Sequence, residues 1–198
     1  MIEFIEINDS EPYELFINKY NKAFLNKEKN IEAVAVSSYN KDKQEVDSRF
    51  VNLKYIKDTE WIFFSNYESQ KAKDFQTHNQ VSAVFFWRST NTQIRMKAKI
   101  KKTTNDYNQK YFFDRSEEKN ALAISSNQSR SIDSYSEVKE NYNKSLINDD
   151  LKKCPKFWGG YSFTPYYFEF WEGHESRLNK REVYEKSDDS WKHLILQP

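Results

Sequence analysis

Apolar and polar positions divide this 198-residue chain into short segments of two different periods. Leu15, Phe16, Tyr20, Ala23 and Phe24 recur near helical spacing and predict an amphipathic helix over 11–27, with Asp9 or Ser10 as its cap. The period then shortens. Residues 31–38 read as a first strand, 40–43 as a polar turn, 45–56 as a second strand and 61–66 as a short aromatic third. Ser69 caps a predicted helix over 70–78, and the nearly continuous apolar run 81–88 predicts a buried strand. Over 92–101 the alternation is clean: Ile94, Met96, Ala98 and Ile100 point inward, and Arg95, Lys97, Lys99 and Lys101 outward. Helices follow over 106–115, over 117–124 with Ser116 as cap, and over 134–148. Aromatic strands begin after Pro155, and 176–181, 182–185 and 191–196 read as further strand segments around a turn at 187–190.

Many short strands, a few helices and no regular strand–helix alternation predict an α+β barrel of mainly antiparallel strands with peripheral helices. The length suits a single domain, 1–198, with 1–30 as an N-terminal helical segment packed on it.

Composition narrows the chemistry. Hydrophobic residues make up 37% of the chain but aromatics reach 17%, so large rings must supply much of the core. The 31 basic and 30 acidic residues leave a net charge of +1, which removes the bulk electrostatic case for a nucleic-acid partner. No apolar run approaches the roughly 20 residues of a membrane span. The acidic N-terminus does not resemble a signal peptide, and the lone Cys154 rules out an internal disulfide; both fit a cytoplasmic protein. His78, His174 and His193 lack metal-ligand spacing, so no metal is expected. Three glycines leave no room for a Gly-rich phosphate loop, so any phosphate must be held by side chains and helix ends.

Several residues are then candidates for anion binding. As a strand, 176–181 would carry Arg177, Asn179 and Arg181 on one face, suited to an anionic or carbonyl-bearing ligand; a solvated edge strand explains the same pattern. The predicted helix at Gln70 and Lys71 offers free N–H groups and a positive dipole end, or is a plain surface helix. Tyr111 and Arg115 share a helix face, which Lys119 joins if the helix runs on. Arg49 and Lys54, five apart, face opposite ways on a regular strand.

Longer motifs link these residues. FWGG at 157–160, EFWEG at 169–173 and RLNKR at 177–181 resemble the C-terminal signature of the pyridoxine 5′-phosphate oxidase family, FWGG, EFWQG and RLHDR. RFVNLK at 49–54, FFSNYESQKA at 63–72, Gln93, YFFDR at 111–115 and SNQSR at 126–130 follow in family order. The resemblance covers about residues 30–198 and implies a split β-barrel homodimer with FMN in clefts between the subunits. It implies that FMN is held by Arg49, Phe50, Val51, Asn52, Leu53, Lys54, Phe64, Ser65, Gln70, Lys71, Gln93, Gln128, Ser129, Trp171 and Arg181. It places a phosphorylated pyridine substrate at Lys54, Tyr111, Arg115 and Lys119, with Arg177 and Asn179 at the reacting ring as the catalytic pair. Lys54 would then serve the substrate phosphate and Arg49 the flavin phosphate.

The implied activity is oxidation of pyridoxamine or pyridoxine 5′-phosphate with dioxygen as acceptor. The chain departs from the family pattern at several points. Asn179 stands for the usual histidine, Lys119 for a serine, Gln70 for the arginine of SRKA and Ile195 for a C-terminal arginine. An Arg-rich N-terminal segment has no counterpart in residues 1–10. These departures keep two alternatives open: a related flavin oxidase of the phenazine-pathway type, and a flavin-binding protein without turnover.

Overall fold

In the computed structural model, which describes residues 1–198, the strands are β1 (Glu3–Ile5), β2 (Ala33–Asn40), β3 (Glu45–Asn52), β4 (Tyr55–Lys57), β5 (Glu60–Asn66), β6 (Gln80–Trp87), β7 (Thr92–Lys102), β8 (Trp158–Glu172), β9 (Lys180–Ser187) and β10 (Ser190–Ile195). The helices are α1 (Glu11–Leu25), α2 (Gln70–Thr77), α3 (Asn105–Asp114), α4 (Glu117–Ser125) and α5 (Tyr135–Asn148). One sheet runs in the order β1-β4-β5-β8-β7-β6-β2-β3, with β9 and then β10 added beside β8. All pairings are antiparallel except β1 with β4. The α+β split-barrel expectation therefore holds.

The long strand β8 has three partners. Its first half, Trp158–Phe163, pairs with β5, its second half, Tyr167–Glu172, pairs with β9, and nearly all of it pairs with β7. The register against β7 shifts between Lys97 and Ala98, where Tyr166 is the extra residue beside Pro165. A bulge is where a strand tolerates a proline, which has no N–H for the ladder.

Inside the barrel the core is aromatic, as the composition requires. Tyr13, Phe16 and Tyr20 of α1 pack against Trp61, Phe85, Trp87 and Phe168, with Phe16 edge-on to Trp61 at 4.5 Å between ring centroids. Helix α1 thus covers the inward side of the sheet, and Tyr20 Oη accepts a bond from the N–H of Ile2, fixing β1 beside it.

Three expectations need correction, and one strand was missed. The predicted strand 45–56 is broken: β3 ends at Asn52 and β4 starts at Tyr55, because Leu53 turns into the core and Lys54 N–H bonds Ile62. Strand β6 is buried on one face only, and Phe86 remains 58% exposed, because no helix packs on the outer face of this strand. Residues 176–179 are a loop rather than a strand, with Arg177 at φ 64°, so the period-two argument does not apply to Arg177 and Asn179. Strand β1 carried too little pattern in three residues to be read.

The interior rings and the solvent-facing apolar residues of α1 predict different costs. Phe16→Ala should lower unfolding free energy by about 3–5 kcal/mol, whereas Leu25→Ala, 78% exposed, should change it by less than about 0.5 kcal/mol. Urea unfolding followed by tryptophan fluorescence measures both.

Candidate active site

A cleft of about 940 Å³ opens between β3, β5, α2, α3 and α4. Five cations, Arg49, Lys54, Lys71, Arg115 and Lys119, line it against two carboxylates, Asp47 and Asp114. Its chemistry is that of an anion site with an aromatic wall.

One end is built on β3 and α2. Arg49 donates through Nη1 to Ser38 Oγ (2.6 Å) and through Nη2 to Asp47 (2.7 Å), and it lies 3.5 Å from Asp74. Asp74, on the inner turn of α2, also accepts from Ser38, Asn40 and Gln70. Burial opposes its charge, but these hydrogen bonds, with Arg49 beside it, hold its carboxyl below the usual range. Lys71, 8% exposed, donates to Ser65 Oγ at 3.0 Å. Burial, with the Arg49 charge nearby, lowers its ammonium pKa to about 8. Gln128 completes this end, its Oε1 accepting from Ser65 Oγ and from the N–H of Asn66, each at 3.3 Å.

The other end is built on β5, β8 and α3. Phe64 and Tyr111 stack at 3.6 Å between centroids, and Trp158 lies nearly parallel to both. Gly160, opposite Phe64 in the ladder, makes this stack possible: a Cβ there would sit 2.6 Å from Thr103 Oγ1 and 3.2 Å from the Phe64 ring. Arg115 lies over Trp158 at 4.5 Å, and its Nη1 is buried with no hydrogen-bond partner. Helix α3 stops at Asp114 and α4 restarts at Glu117, yet Tyr111, Arg115 and Lys119 all face the cleft. Burial lowers the Lys54 pKa, with Lys119 and Arg115 adding to the effect against an opposing contribution from Glu32. Burial also lowers that of Arg115 and pushes the Tyr111 hydroxyl up to about 12. A buried, unpaired guanidinium donor beside two lysines is the arrangement an incoming phosphate would satisfy.

The sequence-derived residues fall into two groups. Arg49, Phe50, Val51, Asn52, Lys54, Phe64, Ser65, Gln70, Lys71, Gln128 and Ser129 share the cleft with Tyr111, Arg115 and Lys119. Arg49 and Lys54 thus open on one cleft, because the chain turns between them. Leu53 instead lies in the core. Gln93, Trp171 and Arg181 line up in one ladder row across β7, β8 and β9, and none of them lines the cleft. Arg177 and Asn179 lie in the adjoining loop, where Asn179 Oδ1 accepts from the N–H of His174 at 3.0 Å. Asp74 and Trp158 were not singled out, although the polar inward positions Ser38 and Asn40 signalled a buried partner for the former.

Comparison with known proteins agrees with this geometry. The profile described as pyridoxamine 5′-phosphate oxidase matches residues 17–143, and that of the pyridoxine 5′-phosphate oxidase C-terminal dimerisation region matches 158–198. The chain belongs to the pyridoxine/pyridoxamine 5′-phosphate oxidase family of FMN-dependent oxidoreductases. The family's oxidase from Christiangramia forsetii is 36% identical over 194 residues, 95% of this chain and 89% of that protein. The oxidase from Coxiella burnetii is 32% identical over 191 residues, 96% of each. Among solved structures, PhzG from Burkholderia lata in complex with tetrahydrophenazine-1-carboxylic acid superposes with a TM-score of 0.89 at 26% identity, covering 96% of this chain and 93% of that one.

The Arg49–Lys71 end fits the phosphate of FMN: two cations, a serine hydroxyl and the N-terminus of α2 converge there. A bound phosphate would raise the Lys71 pKa, so FMN binding above pH 8 must take up a proton. FMN Kd, followed by flavin fluorescence, should be level up to that pH as far as Lys71 is concerned, then rise by up to about tenfold per pH unit. Lys71→Gln should weaken binding about tenfold or more and flatten this rise. An unchanged wild-type Kd to pH ~10 would remove Lys71 from the phosphate site.

Proposed function

We propose that this chain is an FMN-dependent oxidase that converts pyridoxamine or pyridoxine 5′-phosphate to the aldehyde, with dioxygen as acceptor. The observation that carries this reading is the convergence of Lys54, Arg115 and Lys119 with Tyr111 at the end of the cleft away from Lys71. Two lysines beside a guanidinium with an unpaired buried donor call for a dianion, which a phosphate monoester supplies and a single carboxylate does not. Lys119, at the position of the family's serine, strengthens the preference.

When bound, FMN supplies a two-electron acceptor that dioxygen can reoxidise. The residues of the chain do the positioning. Lys54, Arg115 and Lys119 fix the substrate phosphate, and the Phe64–Tyr111–Trp158 stack excludes water from that end. Arg177 orients the substrate ring and stabilises charge that develops on it. Asn179, with its oxygen committed to His174, shapes the loop that presents Arg177 and has no proton to exchange near neutrality.

The cleft and the row Gln93–Trp171–Arg181 are separate on one chain, and the matched C-terminal region is one of dimerisation. A two-fold homodimer that sets each row beside the partner's cleft reconciles the two groups. Light scattering of the flavin-loaded protein should therefore give twice the 23.9 kDa chain mass.

The decisive test is anaerobic addition of pyridoxamine 5′-phosphate, which should bleach the flavin absorbance. Arg177→Ala should slow bleaching far more than it weakens substrate binding, the mark of an interaction made mainly in the transition state. Lys119→Ser should weaken substrate binding about tenfold. The likeness to PhzG supports a second reading, a flavin oxidase with a different substrate. A flavin that binds yet stays oxidised with either phosphorylated pyridine would favour that reading.

A further inference from the structure

We propose that Glu169 is a positioning residue that holds Arg181 ready for the cofactor; the inference rests on the FMN-dependent reading above. Glu169 lies on the outward face of β8, between the inward rings of Phe168 and Phe170, yet is only 2% exposed. One carboxylate oxygen accepts from both Nε and Nη2 of Arg181, at 2.9 and 2.8 Å. The other accepts from Arg95 Nη1 and Tyr167 Oη, each at 3.1 Å. Arg181 Nη1 donates in turn to the Gln197 carbonyl at 3.0 Å, so all three guanidinium nitrogens are held.

A carboxylate buried between two arginines is costly to desolvate, and an apolar side chain of similar volume would fill the same space without that cost. The carboxylate contributes geometry instead. A long arginine side chain without an anchor samples many rotamers, whereas this one is locked beside Trp171, its cross-strand neighbour. Glu169 also offsets one of the two positive charges at this point of the row. It would set both where Arg181 points and how much positive charge the flavin meets.

The test compares wild type, Glu169→Gln and Glu169→Ala. Glu169→Gln keeps the volume if the alanine variant fails to fold. Two readouts are taken on each: FMN Kd by flavin fluorescence, and the Arg181 side-chain Nε–H signal in the FMN-free, ¹⁵N-arginine-labelled protein, assigned with Arg181→Lys. The expected result is an exchange-protected Nε–H in wild type that is lost in both variants. FMN Kd should rise about tenfold or more, with the wild-type oligomeric mass retained. Two results would overturn the inference: an unchanged Nε–H with Kd within about twofold of wild type, or a weaker Kd found only where the oligomer dissociates. If wild type itself binds no FMN, the functional reading fails, and the Nε–H signals alone decide whether Glu169 fixes Arg181.

Discussion

The sharing of β8 among three neighbours is the constraint on which the rest of this structure depends. Fifteen residues must satisfy β5, β7 and β9 while alternating between an aromatic interior and an outer face that carries polar function. Sliding the register by one residue would exchange Phe168 with Glu169, placing a carboxylate in the core and a ring outside. The bulge at Tyr166 absorbs the twist between the two halves. It lets the first half deliver Trp158 to the cleft and the second deliver Glu169 and Trp171 to the opposite region of the sheet.

The cleft shows the complementary economy in charge. Like charges crowd at both ends, and the depressed pKa values of Lys54, Lys71 and Arg115 record the strain of gathering cations where water is scarce. Only Arg49 is neutralised internally, through Asp74 and Asp47. Such a site costs the empty protein stability and returns it when anions arrive, the usual balance between binding and folding.

Much of this was legible in the sequence. Strand β7 could be read residue by residue, because its alternation meets a core on one side and open surface on the other. Helix α1 was legible for the same reason. The misreadings share a physical origin. Strand β6 reads as buried on both faces because Val84 and Phe86 interrupt the polar positions of its outer face, which packs against no helix. Loop 176–179 mimics a strand because Arg177, Asn179 and Arg181 recur with a period of two, but side-chain-to-backbone bonds from His174 and Asn179 hold it instead. For the site, motif order named the residues of both groups, yet only the three-dimensional sheet separates them. The network around Asp74 left only Ser38 and Asn40 as a trace, because it joins β2 to α2 across more than thirty residues of chain.

That separation has a genetic consequence. If one chain supplies Arg49 and the other Arg181 to each cleft, then loss of either residue alone damages both clefts of a homodimer. Mix the two defective chains, and the pair that forms concentrates both lesions in one cleft and leaves the other intact. Two alleles, each null by itself, would then complement one another within a single gene, restoring at most half of the sites in each mixed pair.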